Sequence, residues 1–239
     1  EIRLSLVGSE MCIRDRIAPY PLDSPTPSCS GVVLAPWPNR VRDGLWNDEG
    51  TERQLAITEP KFGNASHGLL RFAAYDIADS ASATTLSATI FPQTGYPYLI
   101  ETSVTYVLRA DGIDVTHALT NRSATEAPVA LGTHPFLTIG DVDPHDLVLR
   151  VPAQTAIDTD ERMLPVGTRP AEGALRDGVR LGDITLDTGF TDLSRDADGL
   201  VRHSLTAPDG RRLTLWQGAG FDVVQVYTCL LYTSPSPRD

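Results

Sequence analysis

Apolar and polar residues alternate along most of this chain. "TLSATIF" (Thr85 to Phe91), "ETSVTYVLR" (Glu101 to Arg109) and "GIDVTHALT" (Gly112 to Thr120) place apolar residues at every second position. Many are β-branched or aromatic, as expected of strands with one buried face. Asp111-Gly112 separates two such runs, and Asp209-Gly210 separates "LVRHSLTA" from "RRLTLW". Asp-Gly between alternating runs predicts a hairpin, because glycine accepts the positive φ of the turn. "DLVLRV" and "FDVVQVYT" predict further strands. No amphipathic helix is apparent, and the stretch 158–183, rich in Gly, Pro and charge, predicts a long loop. The expected fold is all-β: a large antiparallel β-sandwich formed as a single domain.

The two ends break this pattern. "CLLYTSPSPRD" (Cys229 to Asp239) back-translates codon by codon into a transposase-type sequencing-library adaptor. "LVGSEMCIRD" (Leu6 to Asp15) is encoded by its reverse complement. Residues 1–16 and 229–239 are therefore expected to be adaptor-derived and are set aside. That leaves 17–228 as the genuine domain, expected to be incomplete at both ends.

Charge and cysteines then exclude several classes. The flanks carry equal numbers of acidic and basic residues, so the net charge of -11 belongs to the interior. That balance disfavours nucleic acid, whose binding rests on neutralising phosphates with Lys and Arg. Outside the flanks only Cys29 remains, which rules out a disulfide framework or a cysteine-rich metal site. No apolar run approaches the length of a spanning helix, so no membrane partner is expected, and cytoplasmic is the default compartment. No metal-ligand spacing, phosphate-cradling glycine loop or nucleophile elbow is found. No cofactor is expected.

Four polar clusters fall at turns or strand ends. In "PWPNRVRDG" two prolines flank Trp37 and stiffen the segment that presents Asn39 and Arg40. Arg40 suits vicinal hydroxyls or a carboxylate, and pairing with Asp43 is the alternative. In "GNASHGLLR" His67 precedes Gly68, which permits close approach of another backbone; a purely structural histidine is the alternative. In "GTHPFL" apolar neighbours strip water from His134, a natural general acid or base. "LDTGFTDL" carries Asp187 and Asp192, which bind either their own turn amides or sugar hydroxyls. Trp37, Phe221 and Gln225 are further cleft candidates. Of the other histidines, His117 shares the apolar face of Ile113, Val115 and Leu119 and reads as a satisfied core group. His203 reads as a strand residue near an edge, and His145 as a loop residue beside Asp146.

Taken in order, "PWPNRVRDG", "NASHGLL", "PQTGYPY", "GTHPFL", "LDTGFTDL" and "LTLWQGAGFDVVQVYT" resemble the aldose 1-epimerase (galactose mutarotase) family. The resemblance covers nearly all of 17–228. It implies a β-supersandwich with an open cleft for a monosaccharide, and interconversion of α and β anomers without metal or cofactor. A carboxylate takes the anomeric proton while a histidine protonates the ring oxygen, the ring opens, and it recloses with the roles reversed. By motif, His134 resembles the general acid and His67 the second histidine near the ring oxygen. Arg40 resembles the arginine that holds a sugar hydroxyl, and Asp187, or less closely Asp192, the aspartate of the opposite rim. The family's base is a glutamate after the strand that "FDVVQVYT" matches. No Glu follows Glu172 here, so the chain is expected to lack its base and to have little activity. Two other readings stand beside this one. A hexose-6-phosphate epimerase would use Arg40, Arg42 and Arg71, and a sugar-binding β-sandwich would have no turnover.

Overall fold

A computed structural model describes residues 2–7 and 26–228, with side chains from residue 26 onward. The alternating segments all become strands: Thr84–Ile90, Ile100–Arg109, Gly112–Asn121, Val148–Arg150, Val201–Thr206, Arg212–Gln217 and Val224–Tyr227. Both Asp-Gly hairpins form. Gly112 pairs with Arg109 across one turn, and Arg212 with Thr206 across the other.

One sheet has nine strands in the order Val179–Arg180, Val148–Arg150, Val201–Thr206, Arg212–Gln217, Ile2–Val7, Gly112–Asn121, Ile100–Arg109, Thr84–Ile90 and Asp76–Asp79, antiparallel throughout. Ile2–Val7, within the stretch set aside as adaptor-derived, takes the middle place in this sheet. Ile2 faces both Val115 and Gln217, so this strand pairs the backbone edges of two long neighbours that would otherwise stand open. Residues 8–16 and 229–239 lie outside the described residues.

A second sheet orders Pro165–Pro170, Ala153–Thr159, Asp187–Leu193 and Val224–Tyr227. The long loop expected at 158–183 is therefore corrected. It contains the strand Pro165–Pro170, the short helix Gly173–Asp177 and the strand Val179–Arg180. Pro165–Pro170 is exposed at every position and has a proline at each end, so it is an edge strand with no apolar alternation to announce it. Where alternation exists it sets the core: Ile100, Thr102 and Val104 point inward from one strand, and Thr102 donates its hydroxyl to the Ala88 carbonyl at 2.8 Å. Phe190, 1 % exposed, anchors the core of the second sheet with Val224 and Val226 against it.

Three short pairings then draw distant segments together. Val33–Leu34 pairs with Gly132–Thr133, Arg40–Arg42 with Asn64–Ser66, and Ala35 bridges to Gly68 in parallel. At the bridge, the Leu69 amide donates to the Ala35 carbonyl at 2.7 Å. Gly68 has φ +71, and a Cβ there would lie 2.1 Å from the Ala35 oxygen. Both the conformation and the contact demand glycine. Gly68→Ala should lower unfolding free energy by at least about 2 kcal/mol, read as a shifted urea midpoint; an unchanged midpoint would mean that the two segments do not meet this closely.

Candidate active site

Those pairings place His67, His134, Asn39 and Arg40 side by side. The His67 amide donates to the Asn39 carbonyl at 2.9 Å, and the Asn39 amide donates back to His67 Nδ1 at 3.2 Å. Both residues hold left-handed backbone, φ 56 for Asn39 and φ 63 for His67. Since Nδ1 accepts, the neutral ring carries its proton on Nε2. That N–H has no protein partner among the described residues.

His134 arrives from the segment after Gly132–Thr133, held where its carbonyl accepts the Gly31 amide at 2.8 Å. Its ring meets that of His67 edge to face, centroids 5.7 Å apart, and stacks on Phe136 at 5.4 Å. Phe136 in turn touches Tyr227, centroids 6.4 Å apart, which brings the second sheet to the same place. Directly across from Tyr227 in that sheet is Asp187, whose Oδ1 accepts the Gln225 side-chain amide at 2.7 Å.

Arg40 does not pair with Asp43. Its Nε and Nη2 donate to the two oxygens of Glu59 at 2.7 and 2.8 Å, and its Nη1 donates to Asn39 Oδ1 at 3.2 Å. Asp43 is instead held by Arg162 Nη2 at 2.7 Å, and Arg162 also grips the carbonyls of Phe62 and Gly63. That arginine sits in the turn before Pro165–Pro170, so the segment expected to be a loop braces the turn beside Glu59.

Asp192 is exposed at φ 52, and no described contact joins it to the histidines or to Arg40. Trp37 packs into the core against Tyr96, centroids 6.4 Å apart. Phe221 is tied through its carbonyl, which accepts from Gln217 and Arg195. His203 is buried on Val201–Thr206, the third strand from one edge of the nine, and shares a short hydrogen bond with Gln217. One histidine expectation is corrected. His117 does lie on the apolar face, but neither ring nitrogen has a partner among the described residues, so it is not a satisfied group. Sequence reasoning missed Glu59 and Arg162, which stand far from their partners in the chain. It missed Phe136 as well, although "HPF" is part of a motif it quoted.

Burial first, then the positive charges of His134, Arg40 and Arg71, hold His67 down to about 4 from an ordinary 6.5. The amide donated to Nδ1 works in the same direction, since protonation would break it. His134 is lowered too, by burial first, but contact with its own backbone and the charge of Asp187 oppose that. For His67 the cations outrank Glu59, whereas for His134 the Asp187 carboxylate outranks Arg71. Both rings are thus biased toward the neutral form, and for His134 its own backbone and the Asp187 carboxylate oppose that bias. Among the described residues no group of three or more His, Cys, Asp or Glu side chains is placed to hold a metal ion.

Residues 14–228 match the sequence model of the family described as aldose 1-epimerase. The chain is 31 % identical over 188 residues to the protein YihR of Escherichia coli (strain K12), covering 77 % of this chain and 57 % of that one. The chain thus spans little more than half the length of that relative. The fold is similar to that of the GalM/aldose epimerase homologue from C. elegans, with a TM-score of 0.64 at 14 % identity over 91 % of this chain and 79 % of that one. It is similar also to galactose 1-epimerase from Lactobacillus acidophilus NCFM, with a TM-score of 0.59 at 17 % identity over 89 % and 86 %.

Burial holds His117 and His203 at about 4 as well as His67. In the unfolded chain all three take up protons near 6.5. Below that pH the unfolded state binds more protons than the folded one, so stability falls as pH drops from about 6.5 toward 4. The urea midpoint should be lower at pH 5 than at pH 7, and the His67 ring should titrate by NMR near 4. A His67 midpoint close to 6.5 would contradict the burial and the Nδ1 bond.

Proposed function

Given that the chain belongs to the aldose 1-epimerase family, we propose that its site binds an aldose and supports interconversion of its α and β anomers. In this reading the pyranose lies between the histidine pair and the rim formed by Asp187 and Gln225. His134 gives its proton to the ring oxygen as the ring opens, and takes it back as the ring closes. His67 donates from Nε2 to the sugar near that oxygen. Arg40, held flat by Glu59, keeps one further N–H on each terminal nitrogen for a sugar hydroxyl, beside Asn39. Asp187 and Gln225 take hydroxyls at the other rim.

The observation that carries the reading is the unequal histidine pair. Ring opening needs an acid at the ring oxygen, and the two rings meet edge to face with the Asp187 carboxylate favouring the His134 proton while burial opposes it. The proton acceptor is the weak point of the site. Of the two carboxylates near the rings, Glu59 is spent on Arg40 and Asp187 accepts from Gln225. Neither is an unengaged base, and no glutamate follows Glu172.

Two measurements test this. The chain should bind D-galactose or D-glucose, and Arg40→Gln should weaken that binding by about tenfold or more, the value of a hydrogen bond from a charged donor. Polarimetry of fresh α-D-galactose should give a rate about 10²–10⁴-fold below that of a full-length family member, the usual cost of a lost general base. A rate equal to the full-length one would refute the base argument, and undiminished binding by Arg40→Gln would refute the clamp.

A further inference from the structure

The outward face of the nine-stranded sheet presents a second set of groups, none shared with the aldose site. Strands Val148–Arg150, Val201–Thr206 and Arg212–Gln217 lie side by side. Their alternation sends Leu149, His203, Leu205, Leu213 and Leu215 to the core and leaves a polar row outside. Arg150 faces Ser204, which faces Thr214; one step along, Thr206 faces Arg212. These five residues line one open hollow of about 520 Å³.

We propose that this hollow is a binding site for a tetrahedral oxyanion of the phosphate or sulfate class. Each guanidinium is anchored through Nε alone: Arg150 to the Arg176 carbonyl at 2.9 Å, Arg212 to Thr206 Oγ1 at 3.3 Å. Their terminal nitrogens have no carboxylate among the described residues, nor do the Ser204 and Thr214 hydroxyls have a protein partner there. The hollow therefore offers two oriented donor forks with hydroxyl donors between them, a set that fits an ion with several acceptor oxygens.

The contrast with nearby arginines sharpens the point. Arg202, which lines the same hollow, is engaged by Asp196 and Asp198 and lies over Trp216. Arg180, Arg195 and Arg211 each hold an aspartate too. In a chain with 31 acidic and 20 basic residues, Arg150 and Arg212 are the two of the three arginines lining the hollow that have no acid partner among the described residues. Adjacent strands lie about 4.8 Å apart, so the row from Arg150 to Thr214 spans about 10 Å, which two arginine side chains can bridge around one ion. Asp177 and Asp196 also line the hollow; Asp196 is engaged by Arg202, while Asp177 opposes an anion and limits its affinity.

The test is titration of the full chain with inorganic phosphate at low ionic strength, followed by calorimetry and by amide NMR shifts. Saturable binding is expected, with shifts centred on residues 148–150, 202–206 and 212–214. Arg150→Gln with Arg212→Gln should weaken it at least about tenfold, the scale of losing two charge-assisted contacts. Asp177→Asn should strengthen it. Thermal midpoint and aldose binding should stay as in the parent chain for both variants. Glucose 6-phosphate binding tighter than phosphate assigns the ligand to esterified sugars, and equal binding assigns it to the free ion. No saturable binding, or binding untouched by the double substitution, overturns the proposal.

Discussion

The paired hydrogen bonds between Asn39 and His67 are the constraint on which the site rests. Two non-glycine residues occupy left-handed backbone at the same spot, a conformation that costs energy and persists only where neighbours enforce it. Here each residue satisfies the other, backbone to backbone in one direction and backbone to ring in the other. Gly68, pressed against Ala35, closes the turn behind them. The result fixes more than position. A ring nitrogen that accepts a backbone amide is kept unprotonated, which determines the tautomer of His67. The same bonds tie Arg40, the next residue after Asn39, to that ring.

From this point the electrostatics follow by contact. His67 and His134 are buried to a similar degree and touch each other, so burial alone would lower both. Their neighbours separate them: the charges of His134, Arg40 and Arg71 act on His67, and the Asp187 carboxylate reaches His134. The second sheet is thus part of the site's chemistry as well as part of its wall. Phe136 links the two, stacking on His134 on one side and meeting Tyr227 on the other.

The sequence displays its strands openly wherever one face is buried, since the alternation of Ile100–Arg109 and Gly112–Asn121 is itself the signature of a half-buried sheet. Edge strands lack that signature. Pro165–Pro170 buries nothing, and its prolines read as loop. Residues at short spacing were also legible: Asn39 beside Arg40, His67 beside Gly68, and His134 among apolar neighbours. The partners of Arg40 and Asp43 were not. Glu59 stands 19 positions from Arg40, and Arg162 stands 119 from Asp43, and only the fold brings them together. Asp43, three residues from Arg40, was the alternative partner, but its carboxylate is held by Arg162.

The central claim is that His67, His134, Arg40 and Asp187 surround one pyranose. A crystal structure of this chain with D-galactose tests it directly. The account predicts the ring oxygen within about 3 Å of a His134 ring nitrogen, Arg40 on a hydroxyl and Asp187 at the far rim. A sugar bound elsewhere on the molecule, with the histidine pair untouched, would contradict it.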